Sequence, residues 1–235
     1  MHSFAVAATL ARLFVSGTGA GRHLSGLSAR IFNYESELDS ELYVIDRMPR
    51  PKTAAKRGKM ILETPRLILR PFAPDDLDRM AELMANKDFM RFSVGPMTHE
   101  QTKSFLDKVI GWDRDRMPSQ FAMIVRSSEA LAGYCGFFHH EVDGKMEIEI
   151  GYRLDSAFWN RGLASEAARI VRDHGFRDLK LDYVISLIHP ENHPSRRVAE
   201  KNGMILERET TFRGFPTFVF AITRERWLRL GCGAE

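Results

Sequence analysis

"EIEIGYRLDSAFWNRGLASEAARIVRDHGF" (residues 147–176) decides the fold. Residues 147–154 alternate polar and apolar side chains, the period-two mark of a strand with two unlike faces. A polar loop containing Gly162 follows, and then an alanine-rich run with helical spacing to about Phe176. Past that run, "DYVISLI" (182–188) reads as another strand. A strand, a helix and a returning strand predict a right-handed parallel crossover.

Upstream, the pattern is antiparallel. "FAMIVR" and "ALAGYCGFF", joined by "SSE", predict a hairpin with Gly133 and Gly136 inside its second strand. "MEIEIGYRL" (146–154) extends it into a meander. "RLILRPF" (66–72) predicts a strand closed by Pro71, and "APDDLDRMAELMA" a capped amphipathic helix. A second helix is expected over 98–112, with Thr98 and Gln101 at capping-box spacing. Downstream, a helix from about 194 to 202 ends in Asn202-Gly203, and strands near 204–209 and 217–223 close the domain. A meander followed by a crossover predicts a mixed sheet, in an α+β or α/β domain.

The loop at 159–165 has the chemistry of an anion site. The first turn of a helix carries N–H groups with no internal partner, and its dipole favours negative charge. Gly162 and Ala164 are small enough for backbone to approach a phosphate, Arg161 adds a charge, and Ser165 adds a hydroxyl. On residues alone a plain connecting loop that binds nothing is the favoured alternative. No Gly-Lys-Ser/Thr follows it, and there is no Gly-x-Gly-x-x-Gly, so neither a Walker loop nor a dinucleotide fingerprint is present.

Four stretches in order resemble the GNAT acyl-CoA N-acetyltransferases, most closely the RimJ/RimL-like branch that modifies ribosomal-protein N-termini. They are "LETPRLILRPF" (62–72), "EIEIGYRL" (147–154), "WNRGLASEA" (159–167) and "NHPSRRVAEKNGM" (192–204). The resemblance covers roughly 62–228 and implies a mostly antiparallel mixed sheet, split between central parallel strands, with helices on both faces. It implies acetyl-CoA as co-substrate, with pyrophosphate over Trp159, Asn160, Arg161, Gly162, Leu163, Ala164 and Ser165. Backbone N–H groups near Ile150, Gly151 and Tyr152 would face the thioester, and Asn192 the pantetheine arm. The loop departs from the family pattern at Trp159, where Gln or Arg is usual, and at Ala164, where Gly is common. Many relatives carry a tyrosine seven residues after the asparagine; here that position is Ala199.

The implied reaction moves an acetyl group to a primary amine by direct transfer, most closely a protein N-terminal amine. A small amine acceptor (an antibiotic or polyamine) is the alternative, and Ala199 motivates a second, a CoA-binding module without turnover. Glu149 is the candidate base and Ser195 the hydroxyl for the leaving thiolate. Glu147 shares Glu149's strand face, and a solvated face is the alternative for both. For Ser195 the alternative is helix N-capping. Tyr152, His139 and His140 are further polar groups, the histidines expected to be solvated in a hairpin turn. Asp75 and Asp76 could add to an acidic cleft for a cationic acceptor. Cys135 on its apolar strand is expected to be a buried small hydrophobe, and Trp112, Phe121 and Phe137 to be core.

Composition sets the outer bounds. The chain has 235 residues, 44% hydrophobic and 28% charged, with two cysteines, Cys135 and Cys232. That describes a soluble globular protein in a reducing compartment, without a disulfide framework or metal set. No apolar run is long enough for a membrane helix. The net charge of +3 is uneven: residues 1–59 hold nine Lys/Arg and five Asp/Glu, or +4, and the rest sums to −1. The main domain therefore offers no charge argument for nucleic acid. Residues 1–59 are expected to be a basic, disordered extension or linker and 60–235 the catalytic domain, in the cytoplasm. The acid-poor start, 1–34, also fits an organellar transit segment. Nothing in the sequence reports oligomeric state.

Overall fold

The computed structural model describes residues 60–93 and 95–231. The expectations for residues 1–59 lie outside this range. Eight strands form one sheet: β1 (Leu62–Glu63), β2 (Leu67–Pro71), β3 (Gln120–Val125), β4 (Ala130–Val142), β5 (Lys145–Leu154), β6 (Tyr183–Ile188), β7 (Ile205–Phe212) and β8 (Phe215–Thr223). Their order is β1-β2-β3-β4-β5-β6-β8-β7. Only β5 and β6 run parallel; every other neighbouring pair is antiparallel. The helices are α1 (Leu77–Ala85), α2 (His99–Arg114), α3 (Leu163–Arg177), α4 (His193–Lys201) and α5 (Arg224–Arg229).

Local chemistry accounts for the boundaries. The Thr98 hydroxyl accepts the Gln101 N–H at 3.2 Å, and the Gln101 side chain accepts the Thr98 N–H at 2.8 Å, the reciprocal pair expected from the sequence. The helix expected over 73–85 opens instead as a 3-10 turn, Pro74–Asp76, before α1. Asp76 explains this: its carboxylate accepts the Ala73 N–H at 2.8 Å and is held bidentately by Arg70 at 2.7 and 2.8 Å. Asn202 ends α4, and Gly203 turns left-handed at φ +79°.

The two sheet faces carry different helices. On one, Leu163, Ala167, Val171 and Phe176 of α3, with Ala199 of α4 and Trp227 of α5, pack on Leu67, Phe121, Cys135, Phe137 and Ile150. On the other, Met80, Leu83 and Met84 of α1 and Leu106, Val109 and Trp112 of α2 pack on Ala122 and Tyr134. Strand alternation divides the residues: Phe121 and Ala122, or Cys135 and Tyr134, face opposite layers. Trp112, Phe121, Phe137 and Cys135 are buried as expected. Gly136 is required by a close approach: a Cβ there would stand 2.4 Å from the Ser119 carbonyl oxygen, which accepts the Phe137 N–H at 3.0 Å.

The β5–β6 ladder has a single register pair, Glu149 with Ile185. Beyond it the parallel strands part, and the sheet opens towards the start of α3 and α4. This is the split mixed sheet expected above.

Candidate active site

The split is held by side chains. The Ser186 hydroxyl donates to the Ile150 carbonyl at 2.8 Å, so that carbonyl faces β6. Alternation turns the peptide groups of Tyr152 and Leu154 to the same side. The Leu154 carbonyl there accepts the Trp159 indole N–H at 2.7 Å. Gly151 faces the other way, paired with Gly136 of β4; it matters because a Cβ would stand 2.8 Å from the Phe138 ring. Of the expected trio Ile150, Gly151 and Tyr152, only Tyr152 presents its backbone to the opening, because Ile150 stands beside the Glu149–Ile185 pair and is engaged on β6. The wedge beneath it holds about 10 Å³, room for one water, among Ile150, Tyr152, Arg172, Ser186 and Ala199.

The loop before α3 is shaped by two left-handed residues, Asn160 at φ +60° and Gly162 at φ +76°. Gly162 is the N-cap and no side chain caps the helix. Its first intrahelical bond runs from the Glu166 N–H to the Gly162 carbonyl at 3.1 Å, so the Leu163, Ala164 and Ser165 amides lie before the ladder begins. Leu163 anchors this turn in the core, while Arg161 is exposed with its guanidinium 5.4 Å from the Phe158 ring centre.

Glu149 stands at the point of parting, and its alternative as a solvated residue is overturned. Its Oε1 accepts the Leu187 N–H at 3.2 Å, and its Oε2 lies 3.0 Å from His140 Nε2. The two side chains are only 13% and 7% exposed. His140 stacks on Phe138 at 5.6 Å and meets Phe212 at 5.1 Å. The expectation of solvated turn histidines fails for both, because β4 continues through them to Val142. His139 is buried against Trp112, with Nε2 2.7 Å from the Pro118 carbonyl oxygen; burial lowers its pKa. Glu147 is also buried and lies 3.4 Å from Lys145 and 3.7 Å from Arg208. Asp76 is committed to Arg70 and Asp75 is exposed, so no acidic cleft assembles from these residues.

Ser195 sits in the first turn of α4. Capping falls to Asn192, whose Oδ1 accepts the Ser195 N–H at 3.2 Å; the capping alternative for Ser195 is therefore replaced. The Tyr152 hydroxyl donates to the Ser195 carbonyl at 3.0 Å and ties β5 to α4. Burial raises the Tyr152 pKa, so the phenol keeps its proton. Tyr152, Asn192, Ser195 and buried Ala199 thus gather at the split on one face of the sheet, and Glu149 with His140 on the other face.

Sequence reading missed two partners. His140 was legible from the turn: Asp143 and Gly144 have φ of 53° and 75°, a type I′ hairpin, which fixes His140 opposite Glu147 and diagonal to Glu149. The second, Arg66, carries no such local mark. Among the described residues no cluster of His, Cys, Asp or Glu is arranged for a metal ion, and no helix is long and apolar enough to cross a membrane.

The sequence pattern of the acetyltransferase (GNAT) domain family matches residues 66–205, from β2 into β7. The chain belongs to the GNAT acetyltransferases. An uncharacterized N-acetyltransferase of Bacillus subtilis, YnaD, is 30% identical over 177 residues, covering 72% of this chain and 99% of its own length. A GNAT-family acetyltransferase from Bacillus anthracis has a crystal structure that superposes with a TM-score of 0.60 at 30% identity, over 71% of this chain and 99% of that one. The fold is also shared with RimL, a ribosomal L7/L12 α-N-protein acetyltransferase solved with coenzyme A, at a TM-score of 0.60 and 18% identity over 70% and 98% of the two chains. GNAT enzymes use acetyl-CoA as co-substrate, and this acetyltransferase is an acyltransferase of that kind.

Proposed function

We propose that this acetyltransferase acetylates a protein N-terminal amine by direct transfer from acetyl-CoA, in the RimJ/RimL manner. One observation carries the acceptor reading: at the split a single carboxylate, Glu149, is set between His140 and the Leu187 N–H, while Asp76 and Glu147 are engaged by Arg70, Lys145 and Arg208. One acid suits one amine. A polycation would call for several converging acids.

In this reading the amides of Leu163, Ala164 and Ser165, with Trp159, Asn160, Arg161 and Gly162, cradle the pyrophosphate, and Asn192 meets the pantetheine arm. Glu149 takes the proton from the attacking amine as the C–N bond forms. The Tyr152 N–H faces the carbonyl oxygen on which charge develops. The Ser195 hydroxyl donates a hydrogen bond to the departing thiolate as the C–S bond breaks, and the proton held by Glu149 passes to solvent. The site works in the cytoplasm, within a catalytic domain of residues 60–235 that carries 1–59 as a basic extension. A fragment starting at Met60 is expected to fold and bind coenzyme A as the full chain does.

Thiol release from acetyl-CoA tests the acceptor. The panel holds peptides with free N-termini, the same peptides blocked, a polyamine and an aminoglycoside. Release is expected with the free peptides alone. Release confined to the polyamine or aminoglycoside would overturn the acceptor reading.

A further inference from the structure

The turn between β1 and β2 reaches the loop before α3. The Thr64 N–H donates to the Leu67 carbonyl at 3.0 Å, and the Thr64 hydroxyl accepts the Leu67 N–H at 2.9 Å. Pro65 and Arg66 occupy the turn's centre. From there Arg66 Nε donates to Glu166 Oε2 at 2.6 Å, and Arg66 Nη1 donates to the Arg161 carbonyl at 2.7 Å. The Arg66 N–H and the Thr64 hydroxyl both donate to Glu166 Oε1, at 3.1 and 2.6 Å. Burial works to raise the Glu166 carboxyl, but the bonds from Thr64 and Arg66 outweigh it and hold the group below its usual range.

This arrangement has a direction. The peptide between Arg161 and Gly162 is trans, as are all the described peptides, so its C=O and N–H point opposite ways. With the carbonyl fixed on Arg66, the Gly162 N–H is aimed away from Arg66, on the side opposite the β1–β2 turn. A Cβ on Gly162 would stand 3.6 Å from Arg66 Nη2, so the guanidinium also backs the glycine. Glu166 lies in the first turn of α3, and through it the same arginine fixes the helix end whose free amides follow Gly162.

We propose that Arg66, held by Glu166 and Thr64, is a positioning residue for diphosphate binding: it fixes the Arg161–Gly162 peptide with its N–H turned away from the first hairpin. The inference rests on the reading of 159–165 as the pyrophosphate cradle. It assigns to a residue of the first hairpin a part in binding at a loop about 100 residues away.

Calorimetry with coenzyme A, and NMR titration with pantetheine, which lacks the diphosphate, test it in the full-length protein. Arg66→Ala is expected to weaken coenzyme A at least fivefold and leave pantetheine unchanged. Arg66→Lys keeps a charge for Glu166 but cannot span to the Arg161 carbonyl, and is expected to lose affinity to a similar degree while keeping the wild-type melting temperature. Equal losses for both ligands would mean general loosening and overturn the proposal. So would unchanged coenzyme A affinity in both variants. Ala164→Asp separates the underlying reading: its carboxylate occupies the helix start, where it favours folding and opposes a phosphate. A tenfold or greater loss of coenzyme A affinity there, beside unaltered Arg66 variants, sinks the positioning role alone. Unchanged affinity in Ala164→Asp sinks the cradle and the positioning role with it.

Discussion

His140 Nε2 lies 3.0 Å from Glu149 Oε2, and the Leu187 N–H meets the other carboxylate oxygen at 3.2 Å. Both oxygens of the candidate base are thus fixed, one from each side of the parting strands. Glu149→Gln keeps the shape and an oxygen for Leu187 but removes the basicity. With a peptide acceptor, kcat should fall by about 10²-fold or more. Affinity for coenzyme A should stay the same. A fall smaller than threefold in stopped assays of thiol release would remove Glu149 from the chemistry.

Gly136 tests the close crossing of β3 and β4. Its added Cβ would lie 2.4 Å from the Ser119 oxygen, a backbone atom that cannot swing aside. Gly136→Ala is expected to cost about 1–3 kcal/mol of stability by overpacking. Urea midpoints equal to wild type would show that the strands shift without strain.

His139 makes stability depend on pH. Burial, the largest cause, lowers its pKa below the ordinary 6.5 in the folded chain. As pH falls, the unfolded chain therefore takes up this proton first. The contribution is complete above about pH 6.5 and is lost as pH falls towards the folded value. His139→Gln retains a donor for the Pro118 carbonyl without the titration. Between about pH 7.5 and about pH 5 its urea midpoint should fall less than that of wild type. Parallel slopes would exclude His139 as the source.

Cys135 separates direct transfer from a covalent route. It is fully buried on β4, and burial raises its thiol pKa, so thiolate is scarce. Cys135→Ala should keep transfer activity within about twofold and form no acetyl-enzyme visible by mass spectrometry. Loss of turnover in a folded Cys135→Ala protein would reopen the covalent path.

What the sequence discloses here is what local chemistry encodes. Thr98 with Gln101, Gly162 before α3, and Asn202-Gly203 after α4 each mark a helix end through bonds within a few residues. The meander is written in strand alternation and the crossover in the step from strand to helix to strand. The histidines show how local reading fails: "HHE" looks like a polar turn, yet His139 Nε2 pairs with Pro118 and His140 with Glu149, and the strand runs on to Asp143-Gly144. Arg66 and Glu166 were beyond such reading, since their meeting depends on α3 packing beside the first hairpin. Asn192 and Ser195 divide differently again. Both could cap α4, and the helix starts early enough that Asn192 is the cap and Ser195 gives it an N–H.

The single register pair between β5 and β6 makes the molecule two slabs with one seam, β1–β5 on one side and β6–β8–β7 on the other. The β5–α3–β6 crossover joins them covalently. Across the seam run the Ser186 to Ile150 bond, the Glu149 to Leu187 bond and the Tyr152 to Ser195 bond, all made by side chains. Side-chain stitches can be unpicked one at a time, whereas a backbone ladder cannot. An exchange at Glu149 or Tyr152 that removes its bond across the seam is therefore also an adjustment of how the slabs lie. A mutational scan along β5 will blend chemistry with slab alignment unless melting temperature is recorded beside turnover for every variant.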